Sequence, residues 1–232
     1  MNIANEWLVF SSILLGIWFL IYIAKPSLSK EMFWTSLLTA PFGLTELLFV
    51  PEYWNPPSLF NLAARTGFDI ESLIFCFAIG GIGAVLYESV FRVKHKKMSS
   101  HEMHSKRHRF HKLALIFPII VFLPLYLLTK LNPIYSSSIA MFVGGIAAML
   151  CRPDLKKKIF MGGILFLALY FTFFLLFNIS YPGIVQEVWN LSAISGMLVL
   201  GIPLEELLFA FTFGMMWSSV YEHVTWHKVK EV

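Results

Sequence analysis

Ile159-Phe160-Met161-Gly162-Gly163-Ile164-Leu165-Phe166-Leu167-Ala168-Leu169-Tyr170-Phe171-Thr172-Phe173-Phe174-Leu175-Leu176-Phe177 carries no charged side chain. A bilayer-spanning helix needs about 20 mostly apolar residues, and this run meets that length. Six more stretches read the same way. The expected spans are Trp7–Ala24, Met32–Val50, Ser72–Phe91, Leu113–Leu128, Pro133–Cys151, Ile159–Phe177 and Pro203–Val224. Leu191–Gly201 is also apolar but stops at Gly201-Ile202-Pro203, so it reads as a short interfacial or re-entrant piece. Leu59–Ala64 reads similarly.

Composition supports the same class. Across 232 residues, 57% are hydrophobic and 14% charged, and mean hydropathy is +0.70. A soluble domain wets its surface with about 25% charged residues. This chain cannot, which excludes a soluble globular protein, and the same apolar excess excludes intrinsic disorder. An outer-membrane barrel would show short alternating strands instead of long apolar runs. Cys76 and Cys151 both lie in apolar runs and suggest no disulfide framework.

The 18 lysines and arginines alternate between sides. Sixteen fall after the first, third, fifth and seventh spans, and only Arg65 and Lys130 fall in the other gaps. Positive loops face the cytoplasm. The amino terminus is therefore expected outside and the tail inside a cell membrane, of bacterial type. The first run lacks a basic leader and is followed by Lys25, so it reads as a retained span. The loop clustering of charge argues for membrane topology and against a nucleic-acid partner.

A shift of 134 residues lays the third span on the seventh. Glu71/Glu205, Leu73/Leu207, Phe75/Phe209, Phe77/Phe211, Gly80/Gly214, Tyr87/Tyr221, Glu88/Glu222 and Val90/Val224 are identical pairs. Apolar matches are cheap in membrane helices; two matched glutamates at one spacing are not. Leu47-Leu48-Phe49 also resembles Leu175-Leu176-Phe177, and Trp54-Asn55 resembles Trp189-Asn190. The expected architecture is all-α, a polytopic membrane protein of about seven helices in two parallel three-helix repeats with a connecting helix. Residues 1–95 would form the first repeat and 133–224 the second. Residues 96–132 would form a basic, histidine-rich cytoplasmic loop plus the connector, and 225–232 the tail.

Ionisable groups inside a bilayer are costly and point to function. Glu46, Glu52, Asp69, Glu71, Glu205 and Glu206 gather toward the outer half in this topology. Glu205 and Glu206 follow Pro203, and acids in a first helical turn offset the macrodipole. That bland reading stands beside a sharper one. A carboxyl in an apolar, like-charged setting is pushed toward its protonated form, and a neutral acid beside aromatic rings can protonate an alkene. Phe75 and Phe209 each lie one turn below a glutamate, where a ring face can stabilise a cation; simple packing bulk is the other reading. Glu88 and Glu222 each follow a tyrosine at a helix end beside basic loops, which favours an interfacial anchor or ion pair.

His101, His104, His108 and His111 are spaced three, four and three apart, so one continuous helix would put them on one face. His223 and His227 lie on the same side of the membrane. Clustered histidines can bind a transition metal, but this run is embedded in lysine and arginine. A basic loop beside anionic lipid is the favoured reading, and no metal is expected. The seventh span has no lysine between Pro203 and Glu222 for a retinal Schiff base. No nucleotide-binding glycine pattern and no Gly-x-Ser-x-Gly elbow appears.

Gly201-Ile202-Pro203-Leu204-Glu205-Glu206-Leu207-Leu208-Phe209, with Val188-Trp189-Asn190 upstream, resembles the lycopene cyclase domain family of the flavin-independent, membrane-integral, tandem-fused type. The resemblance covers both repeats. The first departs from the Pro-x-Glu-Glu pattern, reading Asp69-Ile70-Glu71-Ser72. The family likeness implies redox-neutral acid–base cyclisation of the ψ-end of lycopene or a related long polyene, with no cofactor. It implies catalytic roles for Glu205 and Glu206 and, by the repeat, for Glu71. Glu46, Phe75, Phe209, Phe213, Trp54 and Trp189 are expected to contact the substrate. A protonated glutamate would give a tertiary cation, the neighbouring double bond would close the ring, and a carboxylate would remove a proton. Two other functions fit the sequence: a non-catalytic carotenoid- or lipid-binding membrane protein on the same scaffold, and a histidine-dependent metal oxygenase. The expected partners are a hydrophobic polyene and the lipid bilayer; the oligomeric state is left open.

Overall fold

The computed structural model describes residues 6–231, and only the backbone at 106, 107 and 231. It is all-α in character, 75% helical. Among the described residues five helical stretches are long and apolar enough to cross a membrane: Glu6–Ala24, Ile70–Val90, His108–Leu128, Pro133–Cys151 and Pro153–Ser180. Large apolar side chains stay exposed along them, such as Leu20 and Ile23 in the first and Leu127 and Leu128 in the third. Such rows fit lipid.

The other two expected spans are interrupted. Helix α1 (Glu6–Ala24) is followed by α2 (Ser29–Thr39), which tightens into a 3-10 stretch over Ala40–Leu48. Pro41 lacks the N–H an α-helix would use there. Short pieces follow at Leu59–Asn61 and α3 (Leu62–Thr66), before the long α4 (Ile70–Val90). Beyond α4 come strand β1 (Val93–Lys97), α5 (Ser100–Met103), α6 (His111–Leu128), α7 (Pro133–Cys151), α8 (Lys156–Ser180) and α9 (Ile184–Val188). The apolar stretch Leu191–Gly201 is not a helix. It leads into a small hairpin of β2 (Leu198–Val199) and β3 (Ile202–Pro203). The turn residues Leu200 and Gly201 have φ of 51° and 82°, the left-handed pair that a two-residue hairpin turn requires. The last expected span divides into α10 (Leu204–Trp217) and α11 (Val220–Thr225), and β4 (His227–Glu231) ends the described chain.

The chain forms two compact units. The first holds the described residues of Met1–Ile82 with Asn132–Ile134 and Tyr170–Leu207. Here α1, α2 and α4 approach closely. The Trp18 indole donates to the Ser36 hydroxyl at 2.8 Å. A Cβ at Gly81 would lie 2.3 Å from Ser36 Oγ and Trp18 Nε1, and one at Gly80 would lie 1.9 Å from Thr39 Oγ1. Only glycine permits that approach. Two loops join by a single antiparallel bridge, Trp54 with Trp189. Asn55 N–H donates to the Val188 carbonyl at 2.8 Å, and Asn190 N–H donates to the Tyr53 carbonyl at 2.9 Å.

The second unit holds Gly83–Leu131, Tyr135–Leu169 and the described residues of Leu208–Val232. Strands β1 and β4 pair antiparallel, with His95 opposite Val229 and Lys97 opposite His227. Ala148, Leu155, Ile159 and Met215 form a core cluster. Beside them Lys158 is buried between Glu88 and Glu222, reaching Glu222 at 2.6 Å, and His95 Nε2 lies 3.0 Å from Glu222. Glu88 and Glu222 are thus ion-paired, as their place beside basic loops suggests. Arg152 is fully buried, forked onto Asp154 at 2.9 and 2.7 Å and donating to the His227 carbonyl at 2.7 Å. Two of the basic residues read as loop charges are therefore interior. Charge counting does not say whether a side chain meets water or an acid.

Candidate active site

The acids at the head of α10 take different hydrogen-bond partners, since successive helical residues point about 100° apart. Glu206 is buried and accepts three hydrogen bonds. Tyr53 Oη donates at 2.6 Å, Tyr170 Oη at 2.8 Å and Trp189 Nε1 at 2.8 Å. An indole N–H can only donate, and a carboxylate can only accept, so the set matches an acceptor carboxylate. Burial, then the Glu206 charge, holds the Tyr53 phenol well above its usual range, so it keeps its proton.

Each donor has a structural reason to be there. Trp189 is fixed by its bridge to Trp54, and Tyr53 hands its carbonyl to the same seam. Tyr170 lies on the buried face of α8 with Phe173, Phe174 and Phe177; the spacing is that of one helical stripe. Aromatic rings surround the group. Phe10 packs edge-on to Phe173 and Phe177 at 4.5 and 4.9 Å, and Trp7 meets Trp54 at 4.5 Å. Trp189 lies 5.5 Å from Trp54 and 5.4 Å from Phe174.

Glu205 and Glu71 behave alike. Both are buried. Glu205 accepts the Ser195 N–H at 3.0 Å, and Glu71 accepts the Leu59 N–H at 2.6 Å. Each ties the head of a helix to the loop before it. Asp69 accepts the Ser72 N–H at 2.6 Å, the geometry of a helix N-cap. The Ser72 hydroxyl in turn donates to Glu46. Glu46, Asp69, Glu71 and the Cys76 thiol lie near one another in this unit. No lysine, arginine or histidine pairs with the three acids among the described residues.

The expected substrate residues distribute as follows. Trp54, Trp189 and Glu46 line this unit, and Phe75 packs on Trp7 and Phe10 at 5.4 and 6.0 Å. Phe209 and Phe213 belong to the other unit, where they stack at 5.7 Å and Phe213 meets Trp217 at 5.8 Å and Phe166 at 5.0 Å. Sequence reasoning did not single out Tyr53 or Tyr170. Tyr53 sits in the Glu52-Tyr53-Trp54-Asn55 stretch beside a recognised tryptophan. Tyr170 carried one signal, a hydroxyl-bearing ring on the α8 stripe.

The histidine run is not one helix. Residues 101–103 lie in α5, His108 in a 3-10 turn and His111 at the start of α6. The ligand atoms of His108, His111 and Cys151 lie within 4.8 Å of one another.

A membrane-type helical protein holding a buried carboxylate in a box of aromatic donors has the fittings of an enzyme acting on a hydrophobic substrate. A family model described as lycopene cyclase matches residues 5–90 and 132–224. The chain belongs to the lycopene cyclase family, and at family level it is a carotenoid cyclase. The match leaves out residues 91–131, which hold β1, α5 and α6. Comparison with curated proteins and with solved structures gave no match.

Proposed function

We propose that the protein is an integral-membrane cyclase that closes a six-membered ring at the ψ-end of a long polyene such as lycopene, with no net redox change and no cofactor. The observation that carries this reading is the Glu206 carboxylate held by Tyr53, Tyr170 and Trp189 among aromatic rings. Glu205 supplies the proton to the terminal C=C. The tertiary cation is shielded from water by the rings, whose faces favour positive charge. Ring closure moves the cation, and Glu206 takes a proton to restore an alkene.

The first half has its own version. Glu71 stands in the place of Glu205, with the same loop-amide acceptor role. Ser72 stands in the place of Glu206 and binds the Glu46 carboxyl instead. Span two thus supplies the second acid that Asp69-Ile70-Glu71-Ser72 lacks. Trp54, Trp189 and Phe75 contact the polyene.

The finer architecture is part of this reading. Seven membrane crossings form two parallel three-helix repeats, residues 1–95 and 133–224. Residues 96–132 supply a cytoplasmic loop and connector, and 225–232 a cytoplasmic tail, with the amino terminus outside. Support comes from the reciprocal bonding of Trp54-Asn55 with Trp189-Asn190 and from Gly80 and Gly214. Both glycines sit where a Cβ would collide, with Thr39 in one case and with Phe166 in the other.

The test is expression in a lycopene-accumulating bacterial host followed by pigment chromatography. Ring-bearing products are expected. Unchanged lycopene removes lycopene as substrate, and purified protein carrying unaltered pigment would favour a binding role.

A further inference from the structure

The cytoplasmic histidine cluster contains a feature that ring closure does not use. His111 Nε2 lies 2.9 Å from the carbonyl oxygen of His223. A carbonyl only accepts, so Nε2 carries the hydrogen, and in the neutral ring Nδ1 presents a lone pair. That Nδ1 lies 3.4 Å from Cys151 Sγ. His108 Nδ1 faces the same sulfur at 3.9 Å. The His111 ring is clamped by Trp226 at 3.9 Å and by His223 at 5.4 Å.

We propose that His108, His111 and Cys151 form a binding site for a thiophilic metal ion of the zinc class. Tetrahedral zinc, with Zn–S near 2.3 Å and Zn–N near 2.05 Å, requires S···N separations of about 3.6 Å and N···N of about 3.3 Å. The observed separations bracket the first value, and all three donor atoms lie within 4.8 Å of one another. A backbone carbonyl fixing the far nitrogen of a ligand imidazole is the usual support for a metal-bound histidine. Without a metal, the Cys151 thiol would donate to one imidazole and accept from the other; a cobalt titration separates that arrangement from a metal site.

The three ligands come from separate elements: the 3-10 turn, the first residue of α6 and the last residue of α7. Metal binding would staple the segment after β1 to the end of α7. Arg152, next in sequence, does not oppose the ion with a bare charge, because Asp154 holds its guanidinium in a fork. His108 also lines a cavity of about 390 Å³ with His101, Glu102, Ser105 and Asp154. That opening gives a fourth position to water. Soft thiolate with imidazole selects zinc-class ions over magnesium or calcium. Binding forms the metal–sulfur bond and releases the Cys151 thiol proton to solvent, with no change of oxidation state.

The experiment is a Co²⁺ titration of the purified full-length protein in detergent, followed by absorbance. One equivalent is expected to give a thiolate-to-cobalt charge-transfer band and tetrahedral visible bands, both displaced by Zn²⁺. Cys151→Ser should remove the charge-transfer band. His108→Ala, at a half-buried position, should weaken binding at least tenfold. No thiolate band in the wild-type protein, or an unchanged band in Cys151→Ser, overturns the proposal. Lycopene conversion is read separately, so loss of one finding leaves the other standing.

Discussion

The phenol of Tyr53 donates a 2.6 Å hydrogen bond to the carboxylate of Glu206, 153 positions later in the chain. With Tyr170 and Trp189 it gives one buried carboxylate three donors. Such an arrangement fixes where the carboxylate sits, and preorganised charge of this kind is what the proposed cationic chemistry would require.

Glu206→Gln should abolish ring formation, since an amide cannot accept the departing proton. Tyr53→Phe should lower turnover by roughly 10- to 100-fold, the cost of one hydrogen bond to a charged group at about 1.5–3 kcal/mol. Product chromatography against time in membranes carrying equal amounts of protein measures both. Full activity in Glu206→Gln would remove it from the chemistry.

The Ser72–Glu46 pair gives a separate prediction for the first half. Ser72→Ala should leave the fold intact and disturb only chemistry that uses Glu46, whereas Glu71→Ala should also loosen the loop whose Leu59 N–H it holds. Limited proteolysis after Leu59 distinguishes the two, with faster cutting expected only in Glu71→Ala.

Lys158→Met leaves Glu88 and Glu222 facing each other without their buried ammonium. Breaking a buried pair from one side costs about 3–5 kcal/mol. Thermal unfolding in detergent should show a marked drop, with partial recovery when Glu222→Gln is added.

Gly81→Ala introduces a methyl 2.3 Å from Ser36 Oγ and Trp18 Nε1. Overpacking of this kind costs about 1–3 kcal/mol. The same melting assay should register it, and Ser36→Gly in the same chain should restore part of the loss.

Glu102 is held down to about 2 by its hydrogen bond from Lys228, then by the Ser99 N–H and hydroxyl. The folded value lies below the ordinary 4.5. Its contribution is therefore complete above the ordinary value and fades as pH falls toward 2. Both groups are solvent-accessible, so the effect is small and salt-sensitive. Hydrogen exchange of the β1–β4 strands should quicken across that window, and Lys228→Met should flatten the response.

Much of the fold was legible because membrane helices announce themselves in long apolar runs such as Ile159–Phe177. The two interrupted spans were less so. Pro41 lies where the helix tightens after Thr39, yet the apolar run Met32–Val50 continues through it, and nothing local marks Ser218-Ser219 as a break. Glu206 was visible because adjacent carboxylates after Pro203 are rare in apolar sequence. Tyr170 was hidden, since a tyrosine among phenylalanines reads as one more ring until its hydroxyl has a partner. The burial of Arg152 and Lys158 was hidden for a similar reason: their acids, Asp154 and Glu88 with Glu222, are identified by distance and not by spacing. His108 and His111 were seen as part of a basic run, while Cys151, 40 residues on from His111, completes their arrangement.

The partners of Glu206 are scattered at positions 53, 170 and 189. A ribosome that has emitted every residue before Glu206 has built the three donors but not the acceptor that joins them. Until Glu206 arrives, the Tyr53 and Tyr170 phenols and the Trp189 indole lack the carboxylate they share. Assembly of this hydrogen-bonded centre is consequently a late event of biosynthesis, and a chain stopped short of residue 206 could not form it.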